Sequence, residues 1–454
     1  MLRWKNNNSA VQEGTPVALR LDRTNLHRIK NPVFQAYARE YQGIYEDFME
    51  NVKAFGLDFA ENREKEIALL RDELSAMGVI VRNEGASLAS GEICGACAAC
   101  RTGADSYTGL ISLMCHRNCF FCFNPNQSEY GSYADAKKDW ERELAQVYAR
   151  NPQLKYIALT GGEPLLHKKD AEAFFMKARA YWPEVSMRLY TSGDLLDEAT
   201  LGAFAQAGLE EIRFSLKLED TPEQMEKVFA AMELAKRYVQ RVMVEMPVLP
   251  DREADMRAIL DRLEAMDVFG INLLELCFPL GNAQAFKARG YALRNPPYRT
   301  LYNFWYAGGL PVDGSELLAL RLLRYAMEKQ YRLVVHYCSL ENKHFGQIYM
   351  QNTGADTDRR YVMSQKDFYL KTIKAFGKDA ARAERMLRGR RLDYSVDREN
   401  GFIQMSPACA QLLRGTGMEL AVSYNVREMR DGSMFLRELR LDYVKANEFD
   451  VSSL

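Results

Sequence analysis

Six of the nine cysteines in this 454-residue chain fall between Cys94 and Cys122. An even spread would put fewer than one in a window of that size, so the clustering has a chemical cause. Cys115, Cys119 and Cys122 stand in C-x3-C-x2-C spacing. Three thiolates on one short loop can hold three irons of a [4Fe–4S] cluster and leave the fourth iron open to a ligand. A zinc site is the competing chemistry, and it needs a fourth ligand close by. His116 directly follows Cys115 and is poorly placed to chelate the same ion. Cys94, Cys97 and Cys100 form a second run, C-x2-C-x2-C. Bacterial ferredoxins add a fourth cysteine three residues on, but here Cys100 leads into Arg-Thr-Gly. A remote thiolate is then required. Cys338 is the favoured candidate and Cys277 the second; a structural zinc site is the other reading. Cys409 reads as an ordinary buried thiol.

These residues need elements to hold them. From Tyr107 onward, short apolar runs alternate with helical patterns. Strands are expected at residues 108–114, 155–160, 187–191, 211–216, 242–247 and 270–275. Helices are expected at 139–150, 170–181, 197–207, 222–239 and 252–266. Six strands alternating with helices imply a parallel sheet. In a parallel barrel, chemistry sits at the C-terminal ends of the strands. The cysteine loop follows the first run, and Gly161-Gly162-Glu163-Pro164 follows the second. Ser192 closes the third, Ser215 and Lys217 the fourth, Glu245 and Pro247 the fifth, and Glu275 and Cys277 the sixth. Two glycines let backbone approach a ligand closely. Glu245 and Glu275 suit either a cationic group of a substrate or internal salt bridges.

Outside this core, residues 1–92 read as a helical extension. Phe34, Tyr37, Tyr41, Tyr45 and Phe48 recur near helical spacing as a packing face. Residues 93–104 form the cysteine-rich segment, 105–340 the barrel, and 341–454 a small α+β domain. In that last part, 364–390 reads as a basic helix. Arg430-Asp431-Gly432 then joins two strands of a hairpin over 419–443. That hairpin offers either an edge for a peptide strand or a structural lid. A net charge near −1 argues against broad nucleic-acid binding. No apolar run reaches the roughly 20 residues of a membrane span. The N-terminus lacks a secretory core, and an odd cysteine count in close triplets is not a disulfide framework. A reducing cytoplasm is expected.

The C-x3-C-x2-C loop, with Phe121 before its last cysteine, resembles the signature of the radical S-adenosylmethionine (radical SAM) superfamily. Gly-Gly-Glu-Pro after the second strand resembles that superfamily's glycine-rich motif. Leu-Tyr-Thr, Glu-Ile-Arg-Phe, Glu-Met-Pro, Asn272-Leu-Leu-Glu275, Asp-Gly-Ser-Glu and Tyr-Cys-Ser with Lys343 and Gln347 follow in order. Over residues 92–350 or so, the chain is similar to an uncharacterised radical SAM family related to pyruvate formate-lyase activating enzymes. The resemblance implies a partial (β/α)6 TIM-like barrel with Cys115, Cys119 and Cys122 on the catalytic cluster. It implies that Gly161, Gly162 and Glu163 meet the methionine amino group and that the Phe121 backbone lies near the adenine. Ser192, Ser215 and Lys217 are implied to meet the ribose or carboxylate. The implied reaction is reductive cleavage of S-adenosylmethionine to a 5′-deoxyadenosyl radical, which abstracts hydrogen from a substrate. The electron donor would be a flavodoxin or ferredoxin. An auxiliary [4Fe–4S] cluster on Cys94, Cys97, Cys100 and Cys338 would relay electrons or, with an open iron, ligate substrate. Substrates of two kinds fit, a peptide or protein and a small molecule. Minimal activating enzymes lack the large C-terminal part. A non-catalytic iron–sulfur carrier, a zinc-stabilised module and a methyltransferase variant are the other readings.

Overall fold

In the computed structural model, residues 18–302, 308–354 and 358–454 are described. The chain divides into two units: Met1–Asn51, Thr300–Tyr302 and Gln351–Leu454 form one, and Val52–Arg299 and Asn303–Met350 the other.

The alternation read from the sequence builds the larger unit. Seven parallel strands neighbour one another in chain order: Ser106–Leu110, Tyr156–Thr160, Ser186–Thr191, Glu211–Phe214, Arg241–Val248, Gly270–Glu275 and Val334–Cys338. Helices cover the sheet, and three of them are begun by side-chain caps. Asp139 and Asp197 accept backbone N–H groups as N-caps, and Thr221 with Gln224 forms a capping box ahead of Pro222. Their apolar faces meet the strands in one large core that includes Phe174, Phe204, Phe214 and Val335. The fold is a partial (β/α) barrel, as expected, with a seventh parallel strand from the apolar run before Cys338. Two short strands were not foreseen. Ser87–Ala89 pairs antiparallel to Val334–Cys338, and Ile80–Arg82 pairs to Ser87–Ala89.

The first strand ends earlier than its apolar pattern suggests, at Leu110. Beyond it the backbone bonds to loops instead of a ladder: Lys138 N–H donates to Ile111 O, and Leu113 N–H donates to Tyr133 O. Residues 111–114 are therefore a buried lead-in to the cysteine loop.

The smaller unit is a seven-stranded antiparallel sheet. Helix Pro32–Lys53 packs on it, with Phe34 stacked on Phe376 at 4.6 Å. The expected N-terminal extension thus divides at about Asn51. Its later part, including helix Glu64–Ala76, belongs to the barrel unit. The segment expected to be a basic helix is half strand: Leu370–Phe376 is a buried central strand and only Gly377–Arg388 is helical. Two lysines disguised it. Lys371 and Lys374 are buried but paired, to Asp367 at 2.9 Å and Glu438 at 2.7 Å. The hairpin forms as read, Glu419–Arg430 with Ser433–Lys445.

Candidate cluster and cofactor site at the barrel mouth

The C-terminal ends of the strands surround a cavity of about 270 Å³. Cys115, Cys119, Cys122, Phe121, Gly161, Gly162, Glu163, Ser192, Ser215 and Lys217 all line it. The three thiols are free; Cys115 and Cys122 are exposed and Cys119 is half-buried. Burial raises the Cys115 thiol and pushes Cys119 up to about 11, against the pull of Lys217. A positive ion or cluster favours the thiolates these groups would otherwise resist forming.

Glycines zip the second loop onto the first. Gly162 N–H donates to Ser112 O at 3.1 Å, and Glu163 N–H to Met114 O at 2.7 Å. Gly161 has φ +123°, and a Cβ there would meet Ser112 O at 2.4 Å. A Cβ on Gly162 would lie 1.9 Å from Met114 O. Asn124 Nδ2 donates to Gly161 O at 2.9 Å. Glu163 is buried and saturated, accepting from Leu165 N, Thr191 Oγ1, Ser192 N and Ser192 Oγ. It braces the third strand's end, while the backbone of the glycine loop faces the cavity.

Sequence reasoning missed the braces of the cysteine loop. Arg117 donates to both oxygens of Asp220 at 3.1 and 2.9 Å, and His116 Nε2 lies 2.8 Å from Asp194. His116 is thereby engaged away from the thiols. The only signal for this was the placement of two basic residues between cysteines.

Glu245 and Glu275 line the cavity, and both are tied into internal salt bridges. Glu245 meets Arg213 at 2.7 Å and Asn272 at 2.8 Å. Glu275 meets Arg294 at 2.6 Å and accepts from Leu340 N at 2.9 Å. Burial pushes Glu275 up to about 7, while Arg294 holds it down; Glu316 and Arg71 complete that network.

The second cysteine set sits on helix Gly95–Ala99, where Cys94 is the N-cap and accepts from Cys97 N–H. Cys94 packs with Ala96 and Met243, beside Tyr156 and Phe269, near the starts of the strands. Arg213 Nη2 donates to Cys94 Sγ at 2.9 Å and Cys97 Sγ at 3.2 Å, and Asn272 Nδ2 lies 3.6 Å from Cys97 Sγ. The hydrogen bond between the two thiols raises Cys94 and lowers Cys97, and Arg213 lowers Cys97 further. Cys338 is pushed up to about 12 by burial, and both Cys100 and Cys97 act on it electrostatically. Cys277 registers Lys343 and Glu275 instead. Cys338 is thus within electrostatic reach of Cys97 and Cys100, while Cys94 is tied to Cys97 and Arg213 near the strand starts.

At the mouth, three thiols and the glycine cradle line one cavity, where a cluster with an open iron would sit. At the second set, Arg188 Nε and Nη1 are buried donors with no partner, and the Arg188 charge acts on Cys100. Sulfides and thiolates of a cluster would accept from them. Among the described residues, no three Cys, His, Asp or Glu side chains converge as a metal ion requires.

Residues 110–263 match the Radical SAM superfamily profile. The barrel part of the chain is therefore similar to this superfamily, and the remainder lies outside the matched residues. A Methanocaldococcus jannaschii protein provisionally named a glycyl-radical enzyme activating enzyme is 24% identical over 235 residues, 50% of this chain and 59% of that one. A PqqA peptide cyclase of Granulibacter bethesdensis is 30% identical over 112 residues, 24% of this chain and 29% of that one. The chain thus spans less than two thirds of either relative. Streptococcus suis SuiB bound to precursor peptide SuiA has a TM-score of 0.38 at 13% identity, covering 67% of this chain and 62% of that one. No described helix is long and apolar enough to cross a membrane.

Proposed function

We propose that this chain binds a [4Fe–4S] cluster on Cys115, Cys119 and Cys122, with S-adenosylmethionine in the mouth cavity, and abstracts hydrogen from a peptide or protein. The observation that carries this is the cysteine loop hydrogen-bonded to the Gly161–Gly162 loop at the C-terminal end of seven parallel strands. When bound, the cofactors would supply one-electron reductive cleavage of S-adenosylmethionine, and the protein would orient it. The chain's own residues bind and orient. Gly161 and Gly162 leave room for backbone to reach the methionine amino group. Phe121 flanks the adenine side, and Ser192, Ser215 and Lys217 offer hydroxyls and a cation to ribose and carboxylate. Arg117 and Asp220 hold the cysteine loop in register.

Cys94, Cys97, Cys100 and Cys338 are proposed to hold an auxiliary [4Fe–4S] cluster. Four thiolates leave no open iron, which favours electron relay over substrate ligation. A flavodoxin or ferredoxin is the proposed donor, in a reducing cytoplasm, consistent with nine free thiols. The peptide reading draws on the named activities of the relatives. It draws also on strand Ser433–Lys445, whose outer side pairs, among the described residues, only with Leu19 and Arg20 at Tyr443 and Asp442.

Products separate this reading from its rivals. Under anaerobic conditions with dithionite and S-adenosylmethionine, the reconstituted protein releases 5′-deoxyadenosine. Release of S-adenosylhomocysteine would make it a methyltransferase, and release of neither would make it an electron carrier.

A further inference from the structure

The charges lining the mouth cavity divide unequally into paired and unpaired. Glu163 is saturated by hydroxyls and backbone, Glu275 is bonded at both oxygens by Arg294 and Leu340 N–H, and Glu245 is bonded at Oε2 by Arg213 and Asn272. Arg117 is held by Asp220. Two cations remain without a carboxylate among the described residues. Lys217 Nζ donates to Ser215 O at 3.2 Å, and Lys343 Nζ lies 5.6 Å from the centre of the Phe123 ring. The two serve different ends of the cavity. Lys217 acts on Cys115 and Cys119; Lys343 acts on Cys100, Cys277 and Cys338. If Lys217 serves the S-adenosylmethionine side, Lys343 is left facing the rest of the cavity.

The Lys343 ammonium is partly buried, with the face of the Phe123 ring as its partner and no carboxylate beside it among the described residues. A carboxylate would supply a charge-assisted hydrogen bond. A single flexible lysine is a compact point charge that pairs with one anionic group. We propose that Lys343 anchors a carboxylate of the substrate at the end of the cavity lined by Cys277. The inference rests on the functional reading above and narrows its substrate to an acid. The carboxylate can belong to a small acid or to a peptide.

The test uses holoprotein with both clusters reconstituted and S-adenosylmethionine bound. Equilibrium dialysis compares N-acetylglycine with N-acetylglycinamide, and N-acetyl-triglycine with its amide. At least one acid should bind about tenfold tighter than its amide, the scale of one hydrogen bond to a charged group. Preference for the longer acid alone identifies a peptide; preference in both pairs identifies the carboxylate itself. Lys343→Gln should erase the preference and Lys343→Arg should keep most of it. Equal binding of acid and amide, no saturable binding of either acid, or a preference that survives in Lys343→Gln overturns the proposal. If Lys343 only balances the charge of the auxiliary cluster, Lys343→Gln shifts that cluster's midpoint potential and leaves the preference intact. That result also overturns it. Wild-type 5′-deoxyadenosine release is measured in the same preparation. Its absence contradicts the functional reading, whereas intact release without acid preference contradicts this proposal alone.

Discussion

Gly162 illustrates how narrow the tolerance is at single residues. A methyl group there meets the Met114 carbonyl at 1.9 Å, and a backbone atom cannot swing aside. Gly162→Ala should separate the glycine loop from the cysteine loop. The expected cost is about 1–3 kcal/mol of stability, with weaker iron retention after reconstitution. Gly202 is the control: nothing lies within 4 Å of its would-be Cβ, and it sits in helix Glu198–Gln206. Gly202→Ala should stabilise by about 0.5–1 kcal/mol, read by urea unfolding, and leave iron unchanged. Arg213 is a second sensitive residue, since one buried guanidinium serves Glu211, Glu245, Cys94 and Cys97. Arg213→Met leaves buried Glu211 and half-buried Glu245 with weaker partners, and about 3 kcal/mol should be lost. Arg213→Met retaining wild-type stability would show that these contacts are incidental. The thiols, glycines and Lys217 were legible in the sequence because their spacing is local. Arg213, Asn272 and Arg117 were not, because their importance lies in partners that are remote in sequence.

Among elements, the barrel strands were readable because each is a short apolar run set off by a capped helix. Leu370–Phe376 was not, because Lys371 and Lys374 made a central strand look like a solvated helix; their buried anions come from Asp367 and Glu438. The Ser106–Leu110 boundary failed for a related reason: burial continues past it, but the hydrogen bonds go to other loops. At this scale the second cysteine helix makes its own prediction. Replacing Cys94, Cys97 and Cys100 together by Ala should lower iron from about eight to about four per chain, since each site is of the four-iron type. Equal iron in both proteins would make that helix structural.

At the scale of the whole molecule, the division near Asn51 was not legible. One long amphipathic stretch gives no sign of which sheet it will cover. Helix Pro32–Lys53 joins the antiparallel unit through Phe34, and Asn31 caps it while donating to Phe376 O. Global stability should also depend on pH through His344. Burial beside Tyr298 holds its pKa down to about 4, against about 6.5 in an unfolded chain. Between those values the unfolded chain binds a proton that the fold does not, so stability is full above about pH 6.5 and falls toward pH 4. The loss should be on the order of 3 kcal/mol and should shrink in His344→Asn, read from urea midpoints across that range. An unchanged pH profile in the variant would remove His344 from the account.

The central claim is that the Cys115–Cys119–Cys122 loop supports reductive cleavage of S-adenosylmethionine. Its most direct test is 5′-deoxyadenosine release, under dithionite, by wild type and by Cys119→Ala. Both proteins are reconstituted anaerobically and checked for a retained fold. The account predicts release by wild type, and no release by the variant with about four irons fewer. Full iron and full release in Cys119→Ala, or no release from a fully loaded wild type, would contradict it.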